Sequence, residues 1–244
     1  MQLYLPIMAL YLSKVLTMTD DKNGFESGVE LGLFGGGGID DCVKESVERL
    51  KEGSMVLNNR PIELEKRIPI VSRMTETALE NLMPLGAPEK PADGEKQHRV
   101  GIDVRFREGP GGTVPLLGYL DFYYPQHNLV VDLKTTSKSP SKWSLGHGIQ
   151  AAVYQKAIES MTGKKPDVRF AYALTRKKDP YVELNLTDED ATMFLNQFKQ
   201  TVVQMEALLS MSDDSAKIIS ILPHNPDTFY WNNAEEIRQT FYGS

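Results

Sequence analysis

Gly118-Tyr-Leu-Asp121 and, a short distance on, Val130-Val-Asp132-Leu-Lys134-Thr135-Thr136 place charged residues inside two short apolar runs. Each half is a short run rich in Leu, Val, Tyr or Phe that carries charge where its neighbours argue for burial. Between them Pro125-Gln-His-Asn128 is a turn-forming cluster, so the halves read as a hairpin of two adjacent strands. Side chains alternate across a strand, so Asp132 and Lys134 point to one face and Leu133 to the other. With Asp121 beside them on the neighbouring strand, two carboxylates and an ammonium converge on one point. Burying such charges is costly unless each finds a partner. A divalent metal is the partner that makes two carboxylates an asset; a structural Asp–Lys ion pair is the competing reading.

Working outward, His98 to Phe106 alternates polar and apolar residues, as a half-exposed strand does. A Gly- and Pro-rich turn, Glu108 to Thr113, leads from it into the Asp121 strand, which predicts an antiparallel meander of three strands. After Thr136 comes a Ser/Lys/Pro loop, then a helix from Trp143 to about Met161. On it His147, Gln150 and Tyr154 are three and four residues apart and share one face. Three kinds of polar group on one face point to a site rather than a core, although His147 alone is better read as exposed or internally satisfied. Pro166–Thr175 and Tyr181–Leu186 read as two further strands, and Thr187-Asp-Glu-Asp190 as a capping box opening a helix from Ala191 to Ser210. The order β-β-β-α-β-β-α predicts an α/β domain with a mixed central sheet and helices on both faces.

The N-terminal part carries less chemistry. Gly35-Gly-Gly-Gly38 feeds a helix from Ile39 to Leu50, with Asp40 or Asp41 as capping or first-turn acid and Val43, Val47 and Leu50 as its apolar stripe. The glycine run lacks the Lys-Ser/Thr that a nucleotide phosphate loop requires, which excludes that reading. Ser72 to Met83 reads as a helix bounded by Pro61, Pro69 and Pro84, and Thr19 to Gly24 as a disordered beginning. Residues 1–12 are apolar but lack the flanks of a signal peptide and the length of a membrane span; they read as a packing segment or a non-native extension, with Met18 a second candidate start. The expected division is a helical region over 1–94 and an α/β core with C-terminal helices over 95–244. The aromatic tail Pro223 to Trp231 is expected to pack against the core.

Composition narrows the function. With 244 residues the chain can bury a sizeable core, and 41% hydrophobic with 25% charged residues suits a globular domain. The one cysteine, Cys42, excludes a disulfide framework and a four-cysteine metal or iron–sulfur site. A net charge of −6 argues against a surface that coats nucleic acid indiscriminately. Yet between Lys134 and Lys178 there are ten Lys or Arg against two acids, Glu159 and Asp167. Such a block directly after the Asp/Lys cluster suits a phosphate backbone, or is a set of solvated lysines.

Taken together, Asp121, Asp132, Lys134, Thr135, Thr136, Gln150 and Tyr154 resemble the motif of the PD-(D/E)XK nucleases, in particular the RecB-like and phage-exonuclease branch; the resemblance covers roughly residues 95–180. It implies a restriction-endonuclease-like core and a metal-dependent deoxyribonuclease, an exonuclease by the branch resembled, acting in recombination, repair or phage DNA processing. It implies that Asp121, Asp132 and the backbone carbonyl of Leu133 hold Mg²⁺ or Mn²⁺, that Lys134 positions or deprotonates the attacking water, and that Gln150 and Tyr154 lie against the metal centre and contact the nucleic acid. A helix near the start of such chains supplies a further acid or histidine four residues after a glycine. The matching position here is Asp41, four after Gly37, where helix capping is an equal claim. Implied partners are DNA and a recombination, single-strand-binding or annealing protein, with no membrane, in the cytoplasm of a bacterial or phage-infected cell. A catalytically silent DNA-binding module and a structure-specific endonuclease are the alternatives, beside an enzyme of another class in which Asp132-Leu-Lys134 is structural.

Overall fold

The computed structural model describes residues 20–53, 60–93, 95, 97–105, 113–175, 180–214 and 217–218. The N-terminal apolar segment, the aromatic tail and the basic triplet Arg176-Lys-Lys178 lie outside these residues. The chain divides into two compact units, 1–195 and 196–244.

The first unit opens with three helices: α1 (Asp20–Gly35), α2 (Ile39–Gly53) and α3 (Arg60–Leu82). Residues 20–24, expected to be disordered, are the first turn and more of α1, because Phe25, Val29 and Leu33 behind them are core residues and draw the helix back to Asp20. The inward face of α2 is Cys42, Ser46 and Leu50, rotated from the expected stripe so that Val43 and Val47 are half-buried. A Cβ at Gly28 would sit 1.9 Å from Ser46 Oγ, so α1 and α2 approach more closely than any larger residue permits. Ser46 satisfies its buried hydroxyl on Thr75 of α3, 2.8 Å away. Helix α3 continues through Pro69, where the sequence suggests a boundary. The cost of the missing N–H is outweighed by burial of Val71, Met74, Ala78, Leu79 and Leu82 beyond it.

Strands β1 (His98–Arg105) and β2 (Thr113–Leu120) form a two-stranded antiparallel ribbon. Strands β3 (Phe122–Tyr124), β4 (Leu129–Thr136), β5 (Asp167–Leu174) and β6 (Tyr181–Asn185) form a mixed sheet in that order, with β4 and β5 parallel. The continuous three-stranded meander expected from the sequence is therefore broken at Asp121. Leu120 lies in the core on one side of the sheet and Phe122 in the core on the other. Two residues apart, they would share a face in an unbroken strand; the bend at Asp121 reverses the alternation and frees that side chain from the ladder.

Helix α4 (Leu145–Thr162), capped by Ser144 whose hydroxyl accepts the His147 N–H, makes the crossover from β4 to β5. It covers one face of the sheet, where Val130, Val168, Phe170, Tyr172 and Leu174 meet Ala151, Tyr154, Ala157 and Ile158. The opposite face, with Phe122, Tyr124, Val131, Leu133, Ala171 and Ala173, is covered by α1 to α3. Helices on both faces of a mixed sheet are the architecture the sequence predicts. The last helix, α5 (Asp188–Leu209), starts as expected: Thr187 Oγ1 accepts the Asp190 N–H at 3.1 Å and donates to its carboxylate at 2.9 Å. Within the first unit its Ala191 and Phe194 pack on Ala152. In the second unit the described residues carry α5 to Leu209 and bury Phe198, Val202 and Ile218. Among the described residues no helix is long and apolar enough to cross a membrane.

Candidate active site

The polar cluster forms where β4 runs under the first half of α4. The strand alternation places Val130, Asp132 and Lys134 on the α4 face and Leu133 in the helical core behind. Asp132 is fully buried, and Lys134, with 13% of its side chain exposed, closes an ion pair onto its Oδ2. The ammonium also lies 4.8 Å from the centroid of Phe170, a cation–π contact that fixes its stem.

Asp121 enters from the bend between β2 and β3. Its Oδ2 accepts the Leu133 N–H at 2.8 Å, and its Oδ1 accepts Gln97 Nε2. The N–H and C=O of one strand residue face the same edge. The Leu133 carbonyl therefore looks toward Asp121 as well.

From α4, the spacing of three and four brings His147, Gln150 and Tyr154 over this point. Gln150 Nε2 lies 3.5 Å from Asp132 Oδ1 and donates to Tyr154 Oη at 2.7 Å; Tyr154 Oη donates to the Tyr119 carbonyl at 2.6 Å. Burial, then the charges of Asp132 and Asp121, push the Tyr154 phenol well above its usual range, so it stays a donor. Its ring passes directly beneath Gly118: a Cβ there would lie 2.8 Å from Tyr154 Cε1. The glycine of the opening motif is therefore the gap through which α4 reaches the strand.

His147 is not simply a solvent-facing residue. Nδ1 lies 2.9 Å from Tyr172 Oη, and the ring packs on Phe170 and Tyr172. Burial first, and then the charge of Lys134, lower its pKa to about 4, so it is neutral at pH 7. Tyr172 is raised by burial and by Asp132. Sequence reasoning missed three members of this wall: Gln97, Phe170 and Tyr172. The last two are recognisable only once β5 is known to pair in parallel with β4, setting Phe170 beside Asp132 and Tyr172 beside Lys134.

The structure thus brings Asp121, Asp132, Lys134, Gln150 and Tyr154 together, and it does not bring in Asp41. Cys42 is the residue of that turn that faces inward, with its thiol on the Gly37 carbonyl, which leaves Asp41 exposed in the first turn of α2. Among the described residues no third His, Cys, Asp or Glu joins the two carboxylates. Two carboxylates and a carbonyl nevertheless suit a hard cation such as Mg²⁺, which keeps several waters and takes one or two carboxylates plus substrate phosphate. The donor set fits such an ion.

The basic block divides. Lys138 and Lys142 are exposed in the loop that leaves β4 on the cluster's side. Lys164 and Lys165 sit at the other end of the sheet, where the Lys165 carbonyl accepts from Asn128 in the turn before β4. Lys156, Lys165 and Arg169 are paired with Glu159, Asp188 and Glu183. The described lysines that could meet a phosphate at the cluster are thus fewer than the sequence count suggests.

The sequence matches the profile of the PD-(D/E)XK nuclease superfamily over residues 39–221. Two solved structures align along nearly the whole chain. One is a candidate exonuclease from Eubacterium rectale, 17% identical, with 96% of this chain and 99% of that one covered and a TM-score of 0.46. The other is SSO0001, 12% identical, with 90% and 95% covered and a TM-score of 0.34. No curated protein matches. The profile spans most of the chain and covers every residue of the cluster; the chain belongs to the PD-(D/E)XK nuclease superfamily.

Proposed function

We propose that this chain is a Mg²⁺- or Mn²⁺-dependent deoxyribonuclease that hydrolyses phosphodiester bonds, and that it acts as an exonuclease. The observation that carries the reading is the buried Asp132–Lys134 pair set beside Asp121 and the Leu133 carbonyl. A fully buried carboxylate is a poor investment for stability alone; next to a second carboxylate and a polar helix face it is a place for a cation and a phosphate. The exonuclease assignment rests on the resemblance of the Gly118–Asp121, Asp132-Leu-Lys134 and Gln150/Tyr154 pattern to the RecB-like and phage-exonuclease branch.

Asp121, Asp132 and the Leu133 carbonyl would hold the ion. When bound, it supplies Lewis-acid stabilisation of charge on the scissile phosphate and acidifies the attacking water. Lys134 Nζ orients that water and donates to the phosphate oxygen that gains charge. Gln150 would hold Asp132 in place for the ion, and Tyr154, whose phenol is pushed well above its usual range, anchors Gln150 to β2. Lys138 and Lys142 would meet the backbone as it leaves the site.

Digestion of linear and circular DNA, single- and double-stranded, with Mg²⁺, Mn²⁺ or EDTA, tests this beside Lys134→Ala. Metal-dependent loss of linear DNA alone, absent in the variant, is expected. Cleaved circles would make it an endonuclease. DNA bound but never cut would make it a binding module.

A further inference from the structure

We propose that Gln97 is the positioning residue of the cation site, fixing the carboxylate of Asp121 in the orientation that takes the ion. The proposal rests on the reading of the cluster as a divalent-cation site. It starts from the register of the β1–β2 ribbon, in which His98 faces Leu120, Arg99 faces Tyr119, and so on to Arg105 facing Thr113. One step beyond the ladder, residue 97 falls opposite residue 121. The ribbon that ends at the bend therefore delivers a long amide side chain to the carboxylate that the bend turns out of the ladder.

The hydrogen bonds bear this out. Gln97 Nε2 donates to Asp121 Oδ1 while the Leu133 N–H donates to Oδ2. Donors on separate oxygens fix the plane of the carboxylate, whose two oxygens carry roughly four lone-pair sites between them. The second donor belongs to the very residue whose carbonyl faces the same point, so Gln97 aligns Asp121 with both remaining oxygen donors. An amide does this without adding charge. A lysine there would compete with the cation for Asp121, and a glutamate would repel it.

Hydrogen-bonded partners of metal-binding side chains typically contribute about 10–100-fold in metal affinity. Mn²⁺ titration by calorimetry on the full chain, without nucleic acid, reads the effect directly. Gln97→Met keeps the length of the side chain and removes the donor; Gln97→Ala removes both. For each, the Mn²⁺ Kd should rise by about 10–100-fold, the metal-free Tm should stay within about 2 °C of wild type, and kcat should recover at saturating Mn²⁺. Unchanged Mn²⁺ affinity in Gln97→Met, with binding abolished in Asp121→Ala, would overturn the assignment while leaving the cation site standing. So would a kcat that stays low at saturating Mn²⁺. A wild-type chain that binds no Mn²⁺ would remove the proposed function itself, and this inference with it.

Discussion

Adding one methyl group at Gly118 should damage both the fold and the site, for a reason that can be worked from the geometry. The Cβ of Gly118→Ala would meet Tyr154 Cε1 at 2.8 Å and Cδ1 at 3.3 Å, with Val100 Cγ2 at 3.3 Å on another side. Carbon atoms pack best at roughly 3.5–4.0 Å, so the closest contact is too short by about 0.7 Å or more. The ring cannot step aside freely. It is 4% exposed, and its hydroxyl is held by the Tyr119 carbonyl at 2.6 Å and Gln150 at 2.7 Å. Overpacking of this kind costs about 1–3 kcal/mol, and the strand recovers roughly 0.5–1 kcal/mol from replacing glycine by alanine. A net loss of about 1–2 kcal/mol should lower Tm by roughly 2–8 °C in a chain this long. Urea unfolding should show it as a lower midpoint at unchanged slope. Activity should fall too, since Gln150 reaches Asp132 from the displaced tyrosine. Tyr154→Leu is the control. With the ring gone, Gly118→Ala should become neutral or slightly stabilising, giving a coupling energy of about 1–3 kcal/mol in the double-mutant cycle. Equal destabilisation in both backgrounds would show that Tyr154 is not what excludes a side chain at 118, and the reasoning would fail.

Other expectations follow from the same contacts. In EDTA, Lys134→Ala should unfold at lower urea than Asp132→Ala, by about 1–3 kcal/mol, because it strips the cation from a fully buried carboxylate whereas the reverse change leaves a lysine that can reach water; equal midpoints would argue that Asp132 has other compensation. Neutral His147 should make stability fall with acid. Its folded pKa, about 4, lies below the ordinary 6.5, so the unfolded chain takes up the proton first. The stabilisation is complete above pH 6.5 and lost as pH drops toward 4; Tm measured across that window should slope less in His147→Gln than in wild type. Thr187→Ala removes the cap that accepts the Asp190 N–H and should cost about 1 kcal/mol, read as a Tm drop of roughly 2–4 °C.

What could be read from the sequence, and what could not, follows the range of the interactions. The period-two alternation of Val130 to Lys134 and the three–four spacing of Gln150 and Tyr154 are local, so the faces they share were legible without a fold. The bend at Asp121 was not, because Leu120 and Phe122 look like consecutive members of one apolar run; only the helical layers on opposite sides of the sheet, each taking one of them, show that the chain changes face between them. Pro69 is similar: its penalty is local and suggests a boundary, while the burial that outweighs it comes from partners far along the chain. The basic block carries less than its count because a tally of lysines ignores which end of the sheet each occupies and which acid it already holds. Gln97 is the sharpest case. Nothing about a glutamine ahead of a strand marks it. Its meeting with Asp121 depends on the register of the ribbon, and a shift of one residue would put His98 or the residue before Gln97 opposite the carboxylate instead. Register is a property of the whole ribbon packed on α4, through Val100 and Leu120 against Tyr154. The residues proposed to do the chemistry can thus be recognised by type and spacing, whereas the residue proposed to aim one of them is specified by packing.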